Sequence, residues 1–249
     1  MSDTPRVLVL DVETKPFEVY VWGLRDQNVA LNQVKEDTSI IAWAAKWLGD
    51  PPSKVIYQDL RKAKNLNNDK PILAPLWKLL NEADIVITQN GKNFDCPRIN
   101  ARFIIHGMRP PYPYQHLDTY QIARRVAKFS SNKLEYLTEK LCTKYKKLSH
   151  KKFPGQSLWT ECLKGNPVAW DEMKKYNIHD VLATEELYLK IKAWTPVAMP
   201  ALHSCKDPVY TNDGIRVTKS GAYRRLYCRK CGQLFKGKIL EDGGKVDSF

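Results

Sequence analysis

The sequence has no apolar run long enough to form a membrane-spanning helix, which leaves little room for an integral membrane protein. It also lacks a secretory leader pattern: in MSDTPRVLVLDVE an acidic residue precedes a short apolar stretch, and Asp11 interrupts it. Cysteine is sparse and unevenly placed. Cys96, Cys142 and Cys162 are scattered and read as small buried apolar side chains, while Cys205, Cys228 and Cys231 share the C-terminal part. That distribution is not a secreted disulfide framework, so a cytoplasmic setting is expected. Internal repeats and low-complexity tracts are missing too. Acidic residues are the minority, with Asp and Glu totalling 27 against 40 Lys and Arg, a net charge of +13. An excess of that size suits a polyanion such as nucleic acid. Hydrophobic residues make up 43% of 249, enough to rule out wholesale disorder and to support one large domain, or one domain plus a small module.

Apolar periodicity sketches an α/β architecture. Residues 6–11, 19–24, 39–49 and 54–60 read as strands, and DIVITQN (84–90) as a short buried one. Helical spacing marks 71–84, 97–108 (ending at Gly107), 134–145 and 167–194, while 116–129 starts extended and becomes helical. Strands come first and helices dominate later, which predicts a mixed sheet flanked by helices over residues 1–195. Two prolines in TPVAMPALHS break the pattern and place a linker at 196–202, followed by a small turn-rich module at 203–249.

Five residues carry the chemistry. Asp11 and Glu13 end the VLVL run. Side chains alternate along a strand, so an Asp-x-Glu pair lies on one face and can grip one cation. Asp95 closes NGKNFD just after DIVIT, and Tyr176 and Asp180 share a helix face in YNIHD. Singly, these are ordinary strand ends and a half-buried tyrosine. Together they deliver hard oxygen ligands suited to two Mg²⁺ or Mn²⁺ ions, the arrangement that phosphodiester hydrolysis favours. Asn90 either holds a substrate group or caps a turn, and Phe94 is either a core or a base-stacking aromatic.

The set Asp11-x-Glu13, Asn90-x-x-x-Phe94-Asp95 and Tyr176-x-x-x-Asp180 resembles the three motifs of the DEDD superfamily of 3′–5′ exonucleases. These are RNase H-like domains, as in polymerase proofreading domains and ribonuclease D. The tyrosine marks the DEDDy branch; the DEDDh branch would carry a histidine where Lys175 stands. The resemblance covers roughly residues 6–194 and is nearest to small stand-alone exonucleases related to the proofreading domain of family-B DNA polymerases, phage-encoded ones among them. It implies that Asp11, Glu13, Asp95 and Asp180 hold two Mg²⁺ or Mn²⁺ ions and that Tyr176 orients the attacking water. A phenol of ordinary pKa near 10 is a poor base at neutral pH. HLDT (116–119) also looks like a family segment, with Asp118 in a structural role.

Residues 124–152 hold ten Lys or Arg against Glu135 and Glu139, interleaved with Phe129, Tyr136, Tyr145 and nearby Phe153. This mixture reads either as a solvated face or as a groove that tracks a nucleic-acid strand. Lys92 and Arg98 are candidate phosphate contacts, and Leu134 either wedges between terminal bases or belongs to the core. Trp22, Trp43, Trp47 and Trp159 read as core or groove residues. In the C-terminal module, Cys228-Arg-Lys-Cys231-Gly232 is a metal knuckle, and His203 with Cys205 completes a His-Cys₃ set for one structural zinc. The module resembles a zinc ribbon whose first knuckle departs from C-x-x-C. It is a candidate contact for nucleic acid or for a replication or recombination protein. The expected activity is 3′–5′ exonucleolytic hydrolysis of single-stranded DNA. The alternatives are RNA trimming in the manner of ribonuclease D and a non-catalytic nucleic-acid binder acting through the zinc module.

Overall fold

The computed structural model describes residues 5–148, 152–194, 209–218, 221–230, 232 and 234–240. Its centre is a five-stranded mixed sheet in the order β5-β4-β1-β6-β7. The strands are β1 (Val7–Thr14), β4 (Ile40–Trp47), β5 (Ile56–Asp59), β6 (Ile85–Thr88) and β7 (Gln115–Asp118). β1 sits in the middle, antiparallel to β4 and parallel to β6, and β7 continues the parallel half. The unbroken apolar run IIAWAA of β4 is explained by burial on both faces.

Alternation along β1 splits the core in two. Leu8, Leu10 and Val12 face one cluster, which also holds Trp43, Leu73, Leu76, Phe103 and Trp170. Val9 faces the other, with Ile85, Ile87, Leu137, Val181 and Leu187. Period-two alternation therefore puts Asp11 and Glu13 on the Val9 side. The pairing register of β1 with β4 slips between Glu13 and Thr14, so an irregularity falls at the acidic end of the strand.

Among the described residues, six α-helices accompany the sheet: α1 (Lys70–Glu82), α2 (Asp95–Ile105), α3 (Thr119–Val126), α4 (Leu134–Leu141), α5 (Ser157–Leu163) and α6 (Pro167–Ile191). α6 packs across β1, β4 and β6. Its start is sharply defined, with Pro167 at the first turn and the Asn166 side chain accepting the Val168 N–H at 3.0 Å. α2 is pinned by Arg102, whose Nε and Nη2 reach the two oxygens of buried Asp69 at 2.8 and 2.9 Å. Gly107, at φ +63°, follows α2 in the left-handed conformation expected of its glycine.

Several expectations need correction. The apolar stretch 19–24 is not a strand: only Glu18–Val19 (β2) is extended, paired with Val34–Glu36 (β3) in a separate two-stranded ribbon. The chain between them carries Trp22 into solvent at 101% exposure, with Leu24 and Leu31 also bare, so Trp22 is neither core nor groove. α4 stops at Leu141 rather than 145, and α2 starts at Asp95, two residues before the expected 97. α5, with only seven residues, went unrecognised in the periodicity. The C-terminal part forms a three-stranded antiparallel sheet, β10-β9-β8, from β8 (Tyr210–Thr218), β9 (Gly221–Cys228) and β10 (Leu234–Leu240).

Candidate active site

Three elements bring the acidic residues together. β1 supplies Asp11 and Glu13, the first turn of α2 supplies Asp95, and the middle of α6 supplies Tyr176 and Asp180. Glu13, Asp95, Tyr176 and Asp180 are all buried. One oxygen of each carboxylate is held by a donor of the protein. Asn177 Nδ2 reaches Asp11 Oδ2 at 2.6 Å, and Trp159 Nε1 reaches Glu13 Oε2 at 2.9 Å. The Val12 N–H reaches Asp95 Oδ1 at 3.1 Å, and Lys147 Nζ reaches Asp180 Oδ2 at 2.7 Å. Asp180 Oδ1 is buried with no hydrogen-bond partner among the described residues.

Burial strains the ionisation of all four acids, and their crowding adds to it for Asp11 and Glu13. Burial, followed by the charges of Asp95, Glu13 and Asp180, pushes the Asp11 carboxyl well above the usual range. Burial and then Asp180 raise Glu13 to about 8. Burial raises Asp95 to about 7, against the pull of the Val12 N–H. Burial also raises Asp180, although Lys147 counters it. Burial works against the charge on Lys147, yet Asp180 and then Tyr176 hold its pKa above normal. Tyr176 is kept protonated by burial and by Asp180. Its ring lies under Lys147 Nζ at 4.9 Å and meets Trp159 edge-on, with centroids 6.1 Å apart.

As the side chains stand, no three His, Cys, Asp or Glu groups among the described residues form a finished ion cage. The donor chemistry nonetheless fits hard divalent cations. Burial raises the pKa of all four carboxylates and the neighbouring acids raise those of Asp11 and Glu13 further, one oxygen of each is fixed, and a buried oxygen of Asp180 lacks a partner among the described residues. Such a cluster demands either protons or added positive charge. The ammonium of Lys147 supplies one such charge.

The neighbouring turn is built to deliver Asp95. Asp118, buried at the end of β7, accepts the N–H of Asn90 (2.8 Å) and of Lys92 (3.0 Å), and it caps α3 through the Tyr120 N–H (3.0 Å). This holds Asn90 at φ +62°, a left-handed geometry that asparagine tolerates. Asn90 is therefore half-buried at the turn, and Lys92 is exposed beside it. Phe94 is 37% exposed, and the Arg98 guanidinium stacks over its ring at 4.4 Å. A cavity of about 270 Å³ runs beside them, lined by Thr14, Thr38, Ile40, Pro97, Arg98 and Ala101.

Other sequence candidates fall elsewhere. Leu134 is buried in the second core cluster, so it has no face to offer between bases. Phe129, Tyr136 and Tyr145 pack against that cluster and Phe153 against the first, which leaves the basic segment short of open stacking platforms. Arg124, Arg125, Lys128, Lys133, Lys140 and Lys144 remain exposed. Lys147 and Asn177 have no place among the site residues expected from the sequence, and Trp159 is expected there only as a core or groove residue. Asn177 was legible, since it stands three residues before Asp180 on the same helix side. Lys147 was hidden in a run of like residues. Among the proposed zinc ligands, Cys228 is buried at the end of β9, and its C=O accepts the Gly232 N–H at 2.8 Å, with Gly232 at φ +76°. His203, Cys205 and Cys231 lie outside the described residues.

Comparison with known proteins agrees with this layout. No curated protein sequence matches the chain. The structure is similar to that of the family B DNA polymerase from the hyperthermophilic archaeon Pyrobaculum calidifontis, with a TM-score of 0.52 and 14% identity. That match covers 76% of this chain but 25% of the polymerase, so the likeness is one of fold over a fraction of a longer enzyme. No helix among the described residues is long and apolar enough to cross a membrane. A family model of the RNase_H superfamily, RNase_H_2, matches residues 47–192. That is more than half of the sequence, and the chain belongs to the RNase_H superfamily.

Proposed function

We propose that this chain is a metal-dependent 3′–5′ exonuclease that hydrolyses single-stranded DNA. One observation carries the reading: four carboxylates, three of them buried and Asp11 half-buried, and a phenol, drawn from β1, α2 and α6, share one centre within an RNase H-like nuclease fold. Two cations of the Mg²⁺ or Mn²⁺ type, held by Asp11, Glu13, Asp95 and Asp180, would neutralise charge on the phosphate and acidify the attacking water.

The chain's own groups do the rest. Tyr176 keeps its proton, so its hydroxyl orients a water and does not abstract from it. Lys147 offsets the charge of Asp180 and leans on the Tyr176 ring, which fixes the phenol relative to the acid. The exposed face of Phe94, backed by Arg98, offers a stacking surface and a cation at the edge of the site. In this reading Lys92 and Asn90 meet the substrate strand, and the C-terminal sheet carries one structural zinc on His203, Cys205, Cys228 and Cys231. The zinc reading rests on the spacing of those residues and on the buried, glycine-turned position of Cys228.

The test is a set of 5′-labelled DNA and RNA oligonucleotides incubated with Mg²⁺ or Mn²⁺ and then with EDTA. The expected result is a ladder shortening from the 3′ end of DNA only when metal is present, and Asp11→Ala should remove nearly all of it. Faster trimming of RNA would move the substrate to the ribonuclease D type. A shifted but intact oligonucleotide under every condition would make the chain a binder.

A further inference from the structure

We propose that Trp159 is a positioning residue that sets the metal-ligand geometry of Glu13 and locks it to Tyr176. The proposal rests on Glu13 being a cation ligand, as argued above. Three of the four carboxylates are tied by groups within or beside the acidic segments or by a lysine. Val12 lies next to Asp11, Asn177 lies next to Tyr176, and Lys147 meets Asp180. Glu13 alone draws its tie from α5, 146 residues along the chain, through the Trp159 Nε1–H at 2.9 Å.

The placement of this indole is firm. Leu158 and Cys162 on either side of it are fully buried in the first core cluster, so α5 is anchored where Trp159 leaves it. α5 also packs along α6, the helix that bears Tyr176 and Asp180. The ring meets Tyr176 nearly perpendicularly, at 82°, an edge-to-face contact of the favourable kind. One rigid side chain therefore touches both a carboxylate on β1 and the phenol on α6. An indole N–H can only donate, so it claims Glu13 Oε2 and turns Oε1 toward whatever cation the cluster takes. Outer partners of this sort commonly change metal affinity by about 10- to 100-fold when removed.

The variant is Trp159→Phe, which keeps an aromatic edge for Tyr176 and removes the N–H. Mn²⁺ is titrated by calorimetry into the substrate-free wild-type and variant chains, with turnover of a DNA oligonucleotide and a melting curve alongside. The expected outcome is Mn²⁺ binding weakened about tenfold or more, with kcat reduced and KM for the oligonucleotide unchanged. A variant that is partly unfolded would lose binding stoichiometry without changing the Kd of its folded fraction, so the Kd still decides. Equal Mn²⁺ affinity in the two proteins overturns the role of Trp159 and leaves the nuclease reading standing. Failure of the wild-type chain to bind Mn²⁺ overturns the metal reading, and the proposal with it.

Discussion

At the scale of single residues, the acidic centre is a store of electrostatic tension. Glu13 ionises near 4.5 in an open chain and near 8 in the folded one, and Asp95 moves from 3.8 to about 7, burial being the chief cause for both. Folded protein therefore keeps protons that unfolded protein has already released. The resulting stability is complete below the unfolded values and drains away as pH climbs through the folded ones. In EDTA, the melting temperature should fall between about pH 5 and about pH 8, and Mn²⁺ should restore more of it at the upper end. A melting temperature that rises with pH in EDTA would contradict the arrangement. The acids themselves were legible in the sequence because an Asp-x-Glu at a strand end and a Tyr-x-x-x-Asp on a helix are local patterns. Among their side-chain donors, Asn177 was legible from its spacing to Asp180. Lys147 and Trp159 reach the centre through tertiary packing, which no spacing along the chain encodes.

At the scale of elements, the turn between β6 and α2 governs where Asp95 points. Thr88 is fully buried and its Oγ1 bonds His116 Nε2 at 2.8 Å. A Cβ added at Gly91 would fall 2.2 Å from that oxygen and 2.9 Å from Asp95 Oδ2. Gly91→Ala should therefore cost about 1–3 kcal/mol in a denaturant titration and should lower turnover by displacing Asp95. A variant as stable and as active as wild type would show that the turn has room to spare. Longer elements could be read from their periodicity: β4, α1, α2 and α6 lie within a few residues of their expected bounds, as does the short but wholly apolar β6. The failures were short or tertiary. α5 has too few residues to show a helical repeat, and the apolar stretch 19–24 mimicked a strand because aromatic and β-branched residues look alike whether they are buried or bare.

At the scale of the whole molecule, the net charge of +13 adds a long-range attraction for a polyanion to the local chemistry. Six exposed basic residues between Arg124 and Lys144 lie in the stretch that carries α3 and α4. Affinity for a single-stranded oligonucleotide should fall linearly on logarithmic axes as salt rises, by about 0.7 for each phosphate engaged. An affinity indifferent to salt would remove electrostatics from recognition. A mixed sheet flanked by helices could be anticipated because strands precede helices along the chain, and the family from the motifs of Asp11, Glu13, Asp95, Tyr176 and Asp180; the order of the strands could not, and the role of the C-terminal sheet depends on residues 203, 205 and 231, which lie outside the described portion. The bare indole of Trp22 has a practical consequence. Trp43 and Trp170 are sealed from water, so collisional quenchers such as acrylamide will reach the emission of Trp22 far more readily than theirs. With Trp194, also widely exposed, replaced by phenylalanine, anything that settles on that loop will shield Trp22 and shift its emission to the blue, giving the protein a built-in optical gauge of what docks beside the ribbon that follows Glu13.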